Sequence, residues 1–271
     1  MSGVCPGTSV LSPEAAHIAR AKSRPRSSVL RPGYCLAVGG NATAGRFVSR
    51  PWPHLLERRS GRVICNFARP HAGLDAMIGN VELMRVAALA ELRLIEVPDA
   101  ITMTNGYYAV HPRRNDRFVR AEPALIRLYP EVDFTQFSFT RHLVISLWAQ
   151  DPERFELLRA ALSARWLARM EELLHRLDGR SVLIWWAKRP PLAPGAEANL
   201  RPGAPQLVDH AMLEAVRPRV DGLVKVVIPE VIDDPSRKRV DPAAVVAAHE
   251  LPSEHAHGEI ARQLLPWLRL P

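Results

Sequence analysis

No stretch of this chain stays apolar for the roughly 18 to 20 residues that a membrane-spanning helix needs, so no membrane span is expected. Cysteine is scarce. Cys5, Cys35 and Cys65 are the three present, and their spacing matches neither a zinc site nor a disulfide framework, so no metal is implied and no cofactor is expected. Cys35 and Cys65 fall in apolar runs that read as core strands, which suits a thiol-reducing, cytoplasmic setting. No apolar segment follows the first charges, as a secretory leader would require. There is also no internal repeat.

What is present is enough apolar residue, 47% of 271, for one domain with a sizeable core and a soluble surface. The net charge of +8 is uneven. Residues 1–33 set Arg20, Lys22, Arg24, Arg26 and Arg31 against Glu14 alone, among serine and proline, and read as a disordered basic segment. The remainder, residues 34–271, reads as a single domain. Its one concentrated basic stretch is "HPRRNDRFVR" at 111–120, where Arg113, Arg114, Arg117 and Arg120 surround Phe118 and face Asp116. Two readings stay open for it: a solvated or carboxylate-paired loop, and a site for phosphate, sulfate or an acidic sugar. A nucleic-acid role is the weaker alternative, since no recognised motif accompanies the charge.

Five short apolar runs bounded by glycine, proline or charge read as strands: "YCLAVGG" from 34, "RVICNFA" from 62, "LRLIEVP" from 92, "SVLIWWA" from 181 and "GLVKVVIPE" from 222. Helical patterns alternate with them. "WPHLLERR" from 52 stops at Gly61, "LDAMIGNVELMRVAALAEL" from 74 is interrupted by Gly79, and the longest runs from an Asp151 cap through Pro152 to Gly179. Strands without a polar face need cover on both sides. The expected fold is therefore α/β: a three-layer αβα domain around a flavodoxin-like parallel sheet of about five strands, with its ligand at their carboxyl ends. Residues 102–137 show no clear strand and read as an insertion over the site. A second loop from Lys188 is rich in proline, glycine and alanine. Trp185 and Trp186 are consecutive on a strand and must face opposite sides of the sheet.

The segment "GGNATAG" from Gly39 to Gly45 is similar to the first block of SGNH (GDSL-type) hydrolases, often written "GDSxTxG". "VICNFARPHAGLDA" resembles the second block at Val63, Asn66 and Asp75. Over about residues 34–265, "GGNATAGRFVSRPWPHLLE", "MTNGYYAVHPRRNDRF", "YPEVDFTQFSFTRH" and "ARWLARMEELL" resemble an uncharacterised, divergent bacterial branch of that superfamily. In SGNH hydrolases the first-block serine attacks an ester or acetyl carbonyl. A second-block backbone N–H and a third-block asparagine hold the oxyanion, and an Asp-x-x-His near the C-terminus completes the triad. The resemblance places Asn41 at the nucleophile, His71 at the backbone donor, Ile101 at the oxyanion asparagine, and Ala248 and Leu251 at the triad Asp and His. Almost every chemical group is replaced.

Other residues then become candidates. Asn41 can brace its turn or donate a hydrogen bond to a ligand. Thr43 is the nearest hydroxyl and needs a base to act. Asn105 can take over the oxyanion role or cap its own loop. His249, His255 and His257, six and two residues apart, lack the spacing of a metal pair on one helical face, and His257 is the strongest of them as a catalytic residue. "FTQFSFTRHLVISLW" from 134 reads as an apolar lid, a dimer surface or core. Two functions compete. One is a binding or accessory protein for a small carbohydrate-like or anionic ligand, with degenerate catalytic motifs. The other is an acyl-ester or acetyl hydrolase or transferase with a rearranged site. No sequence pattern specifies an oligomeric state.

Overall fold

The computed structural model describes residues 33–193, 196–198, 200, 203–229 and 251–269. The basic segment through residue 32, Cys5, Ala248 and His249 lie outside the described residues.

Five strands form one parallel sheet: β1 (Cys35–Val38), β2 (Ile64–Asn66), β3 (Leu92–Glu96), β6 (Ser181–Ala187) and β7 (Gly222–Val227), in the order β2-β1-β3-β6-β7. Each lies within a run expected from the sequence. Leu36 on β1 pairs with Cys65 on one side and Arg93 on the other. Strand residues alternate between two cores, as the two-residue period of a strand requires. Cys35, Ala37, Leu92, Leu94, Val182 and Ile184 pack on the face covered by α2 (Trp52–Ser60) and α9 (Glu254–Leu264). Leu36, Val38, Ile95, Leu183 and Trp185 pack on the opposite face. That face is covered by α3 (Leu74–Ile78), α4 (Val81–Ala87), α6 (Thr140–Gln150), α7 (Pro152–Leu177) and α8 (His210–Val216). The result is a three-layer αβα fold.

Local chemistry sets the helix ends. Pro51 and Pro53 flank the start of α2, and Gly61 ends it with a left-handed φ of 70°. The pattern from Leu74 splits into α3 and α4 because Asn80 caps a new start, accepting from the Leu83 N–H at 3.2 Å. Asp151 caps α7 by accepting from the Arg154 N–H at 2.9 Å.

The segment from Thr102 differs from the expectation of no strand. It holds an antiparallel hairpin, β4 (Tyr108–Val110) and β5 (Phe118–Ala121), followed by α5 (Pro123–Leu128). Strands of three and four residues, broken by "NGY" and "HPRRND", are too short for alternation to show in sequence. The hairpin is anchored by Tyr108, fully buried, whose hydroxyl donates to the Ile101 carbonyl at 2.9 Å.

Candidate functional site

The turn leaving β1 is built around a carboxylate from the neighbouring strand. Glu96 ends β3, and its Oε2 accepts from the Gly40 N–H at 3.0 Å, the Thr43 N–H at 2.9 Å and the Thr43 hydroxyl at 2.5 Å. Burial pushes the Glu96 carboxyl above its ordinary range, against the opposing pull of those three donors. A Cβ on Gly39 would collide with the same carboxylate and with the Thr43 hydroxyl, so only glycine fits there. Past the turn, Asn41 opens the four-residue helix α1 (Asn41–Ala44).

The next turn, after β2, closes on the first. Asn66 donates from Nδ2 to the Thr43 carbonyl at 3.2 Å. His71 takes a left-handed φ of 63°, and its backbone N–H donates to Asn41 Oδ1 at 3.3 Å. The strained residue is thus His71, and the Asn41 side chain braces it. The His71 ring places Nδ1 3.0 Å from Asp116 Oδ2, which also meets Arg114 Nη2 at 3.6 Å. Desolvation lowers the His71 pKa, with Arg114 and Arg46 adding to the fall and Asp116 opposing it. A neutral ring donating from Nδ1 to Asp116 keeps a bare lone pair on Nε2.

The β4–β5 turn is held on this edge by Asn115, which has no exposed surface. Its Oδ1 accepts from the Gly73 and Ala76 N–H groups at 2.8 and 3.0 Å, and its Nδ2 donates to the His111 carbonyl at 3.0 Å. These turns surround a cleft of about 700 Å³ at the carboxyl ends of the strands, where ligands bind in open α/β sheets. Glu96, Asp99 and Asp116 face it, with Arg46, Arg141 and Trp186.

A family pattern matches residues 16–270. The chain belongs to that family, Domain of unknown function (DUF6473). No curated protein matches this DUF6473 chain in sequence. Among solved structures it is similar to the lipase Lip_vut3 from a goat rumen metagenome, at 10% identity and a TM-score of 0.40, over 86% of this chain and 96% of that one. Likeness of that degree says nothing about the chemistry of the cleft.

In this DUF6473 chain, Asn41 and His71 line the cleft together, and so do Ile101 and Leu251. The other candidates lie elsewhere. Thr43 is buried beneath the turn, donating to Glu96 and accepting from Trp52 Nε1 at 3.4 Å. Asn105 is spent on its own loop: Oδ1 accepts from the Tyr107 and Tyr108 N–H groups, and Nδ2 donates to the Met103 carbonyl. His257 is 1% exposed, and its Nδ1 accepts the Trp52 N–H at 3.0 Å. It caps the start of α2, with its pKa lowered by burial to about 3.

Arg113, Arg114, Arg117 and Arg120 are not brought together over the cleft. Arg114 meets Asp116, Arg117 stacks on Phe139 at 4.5 Å, Arg120 pairs with Glu122 at 2.8 Å, and Arg113 is exposed. Among the described residues, the guanidinium groups that do line the cleft are those of Arg46 and Arg141, which the sequence pattern did not single out. The pattern also passes over Glu96, and it marks Asp116 only as the charge facing the four arginines. A charge closing a fully buried strand, as in "LRLIE", was the available signal for Glu96. Among the described residues no group of three or more His, Cys, Asp or Glu can hold a metal ion, and no helix is long and apolar enough to cross a membrane.

Proposed function

We propose that this DUF6473 chain keeps an SGNH-like scaffold without its acyl-transfer machinery and uses the cleft to bind a small carbohydrate-like or anionic ligand. One observation carries the reading. Asn41, His71, Ile101 and Leu251, the positions that the SGNH resemblance assigns to nucleophile, oxyanion donors and triad histidine, all line a single cleft. Convergence of positions distant in sequence is what an active-site scaffold produces. The groups on them cannot perform the reaction. An asparagine amide offers no proton whose loss makes a nucleophile, and leucine and isoleucine carry no polar atom. Among the described residues no hydroxyl is hydrogen-bonded to an imidazole, and the Thr43 hydroxyl is committed to Glu96. A cytoplasmic setting belongs to the same reading, since Cys35 and Cys65 are buried thiols in adjacent strands.

A second reading is favoured by the His71–Asp116 contact, which supplies the base and carboxylate of a rearranged hydrolase. Hydrolysis of p-nitrophenyl acetate separates the two. The binding role requires a rate equal to that of a heat-denatured control, in the natural chain and in Asn41→Ala alike. Turnover that survives Asn41→Ala and disappears in His71→Ala would establish the enzyme instead.

A further inference from the structure

Taking the cleft as a binding site, we infer that its ligand is a neutral polyhydroxy compound, a saccharide, and not an anion. The first support is the set of polar groups carried by residues that line the cleft. Glu96 directs Oε2 to its three donors, which leaves Oε1 for the cleft. Asp116 offers Oδ2 to both His71 and Arg114, while its Oδ1 is buried with no hydrogen-bond partner among the described residues. Trp186 also lines the cleft, and its Nε1 is buried with no hydrogen-bond partner among the described residues.

The two buried atoms are met only by a guest toward which Asp116 and Trp186 turn, and two carboxylate acceptors with one indole donor then need a guest that both donates and accepts. A hydroxyl does both, and adjacent hydroxyls do so along one edge of a sugar ring. A fully ionised anion such as sulfate only accepts. It would serve the indole, leave both carboxylate oxygens unmet and add like-charge repulsion. An ammonium group would serve the carboxylates and leave the indole unmet.

The charge around the cleft agrees. Among the described residues Glu96, Asp99 and Asp116 stand against Arg46, Arg141 and the Arg114 that meets Asp116, three carboxylates against three guanidinium groups with no excess positive charge to draw in an anion, and the histidines lining the cleft are His71 and His142. With the His71 pKa lowered, that ring adds no fixed positive charge at neutral pH. The other arginines of the β4–β5 turn are not among the lining residues: Arg120 meets Glu122, and Arg117 stacks on Phe139. Trp186 and Phe139 give the wall aromatic surface, and the C–H face of a sugar ring packs well on such a surface.

The test is a titration of the full chain at constant ionic strength with xylotriose, maltotriose and chitotriose, and separately with sulfate and phosphate, read by tryptophan fluorescence and by Tm. At least one saccharide is expected to saturate, with neither anion doing so. Trp186→Phe, which keeps the aromatic face and removes the N–H, is expected to weaken that binding about ten-fold. Glu96→Gln serves as a second variant with the same direction. Saturation by sulfate or phosphate, abolished in Arg46→Ala, would overturn the ligand class while leaving a binding cleft. Failure of all three saccharides to saturate the folded chain would overturn it too. Ester turnover dependent on His71 would instead overturn the binding reading on which the inference rests.

Discussion

Acidifying the protein from pH 7 to pH 5 is expected to lower its folding free energy by about 2 kcal/mol through His257 alone. The ring is almost wholly buried, it accepts the Trp52 N–H at 3.0 Å, and burial brings its pKa down to about 3. In the unfolded chain the same imidazole titrates near its ordinary value of about 6.5. Between those two values the unfolded state holds a proton that the folded state refuses, so stability falls as pH drops, by about 1.4 kcal/mol per unit, and the loss ends below the folded value. His71, also lowered, acts in the same direction. Glu96, with its pKa raised, acts oppositely, within the carboxylate range and above it. Urea unfolding at several pH values checks this. His257→Asn is expected to be less stable at pH 7 and to show a flatter dependence between pH 6.5 and 5. An unchanged slope in that variant would mean that the ring is not the titrating group.

Replacing Asn115 by alanine is expected to cost about 3 kcal/mol, among the largest single losses available in this fold. The side chain is fully buried and satisfies the N–H groups of Gly73 and Ala76 and the carbonyl of His111. Alanine would leave all three without it, two of them at the start of α3, where helical N–H groups have no partner within the helix. The same change would leave the β4–β5 turn tied to the turn that carries His71 through the backbone alone, by the residue-115 N–H that donates to the His71 carbonyl at 3.0 Å and that alanine keeps. Equilibrium unfolding measures the first effect, and amide exchange at Gly73 and Ala76 measures the second. Arg113→Ala, two residues away and exposed, is expected to change stability by less than about 0.5 kcal/mol.

The contrast between Arg113 and Asn115 shows where sequence reasoning stops. In "HPRRNDRF" the arginines stand out because charge is visible in a string of letters, while burial is not. The residues that organise the segment are the ones between them: Asn115, which ties two turns together, and Asp116, which meets both His71 and Arg114. The sheet was legible for the opposite reason. Strands covered on both faces are near-continuously apolar, so β1 and β6 declare themselves, β3 does so despite Arg93 and Glu96, and the consecutive tryptophans had to divide between the two faces. Trp185 joins one core, while Trp186 reaches the cleft. The short hairpin lacked the length to show a period.

At the site, the turn after β1 and its asparagine were readable from the pattern around Gly39. The carboxylate that builds this turn arrives from β3, 53 residues after Thr43, and only the parallel pairing of β1 with β3 brings it there. His257 illustrates the same limit. A histidine near a chain end reads equally as a catalytic base or as packing, and its partner, the Trp52 N–H, lies 205 residues away.

The binding role requires that the cleft hold no activated nucleophile. Incubating the full chain with excess fluorophosphonate, which phosphonylates a hydroxyl activated by a neighbouring base, and weighing the intact protein tests this in one step. The mass is expected to stay that of the unmodified chain at neutral pH. A single stoichiometric adduct mapping to Thr43, or to any residue lining the cleft, would contradict the account and make the protein an acyl-transfer enzyme.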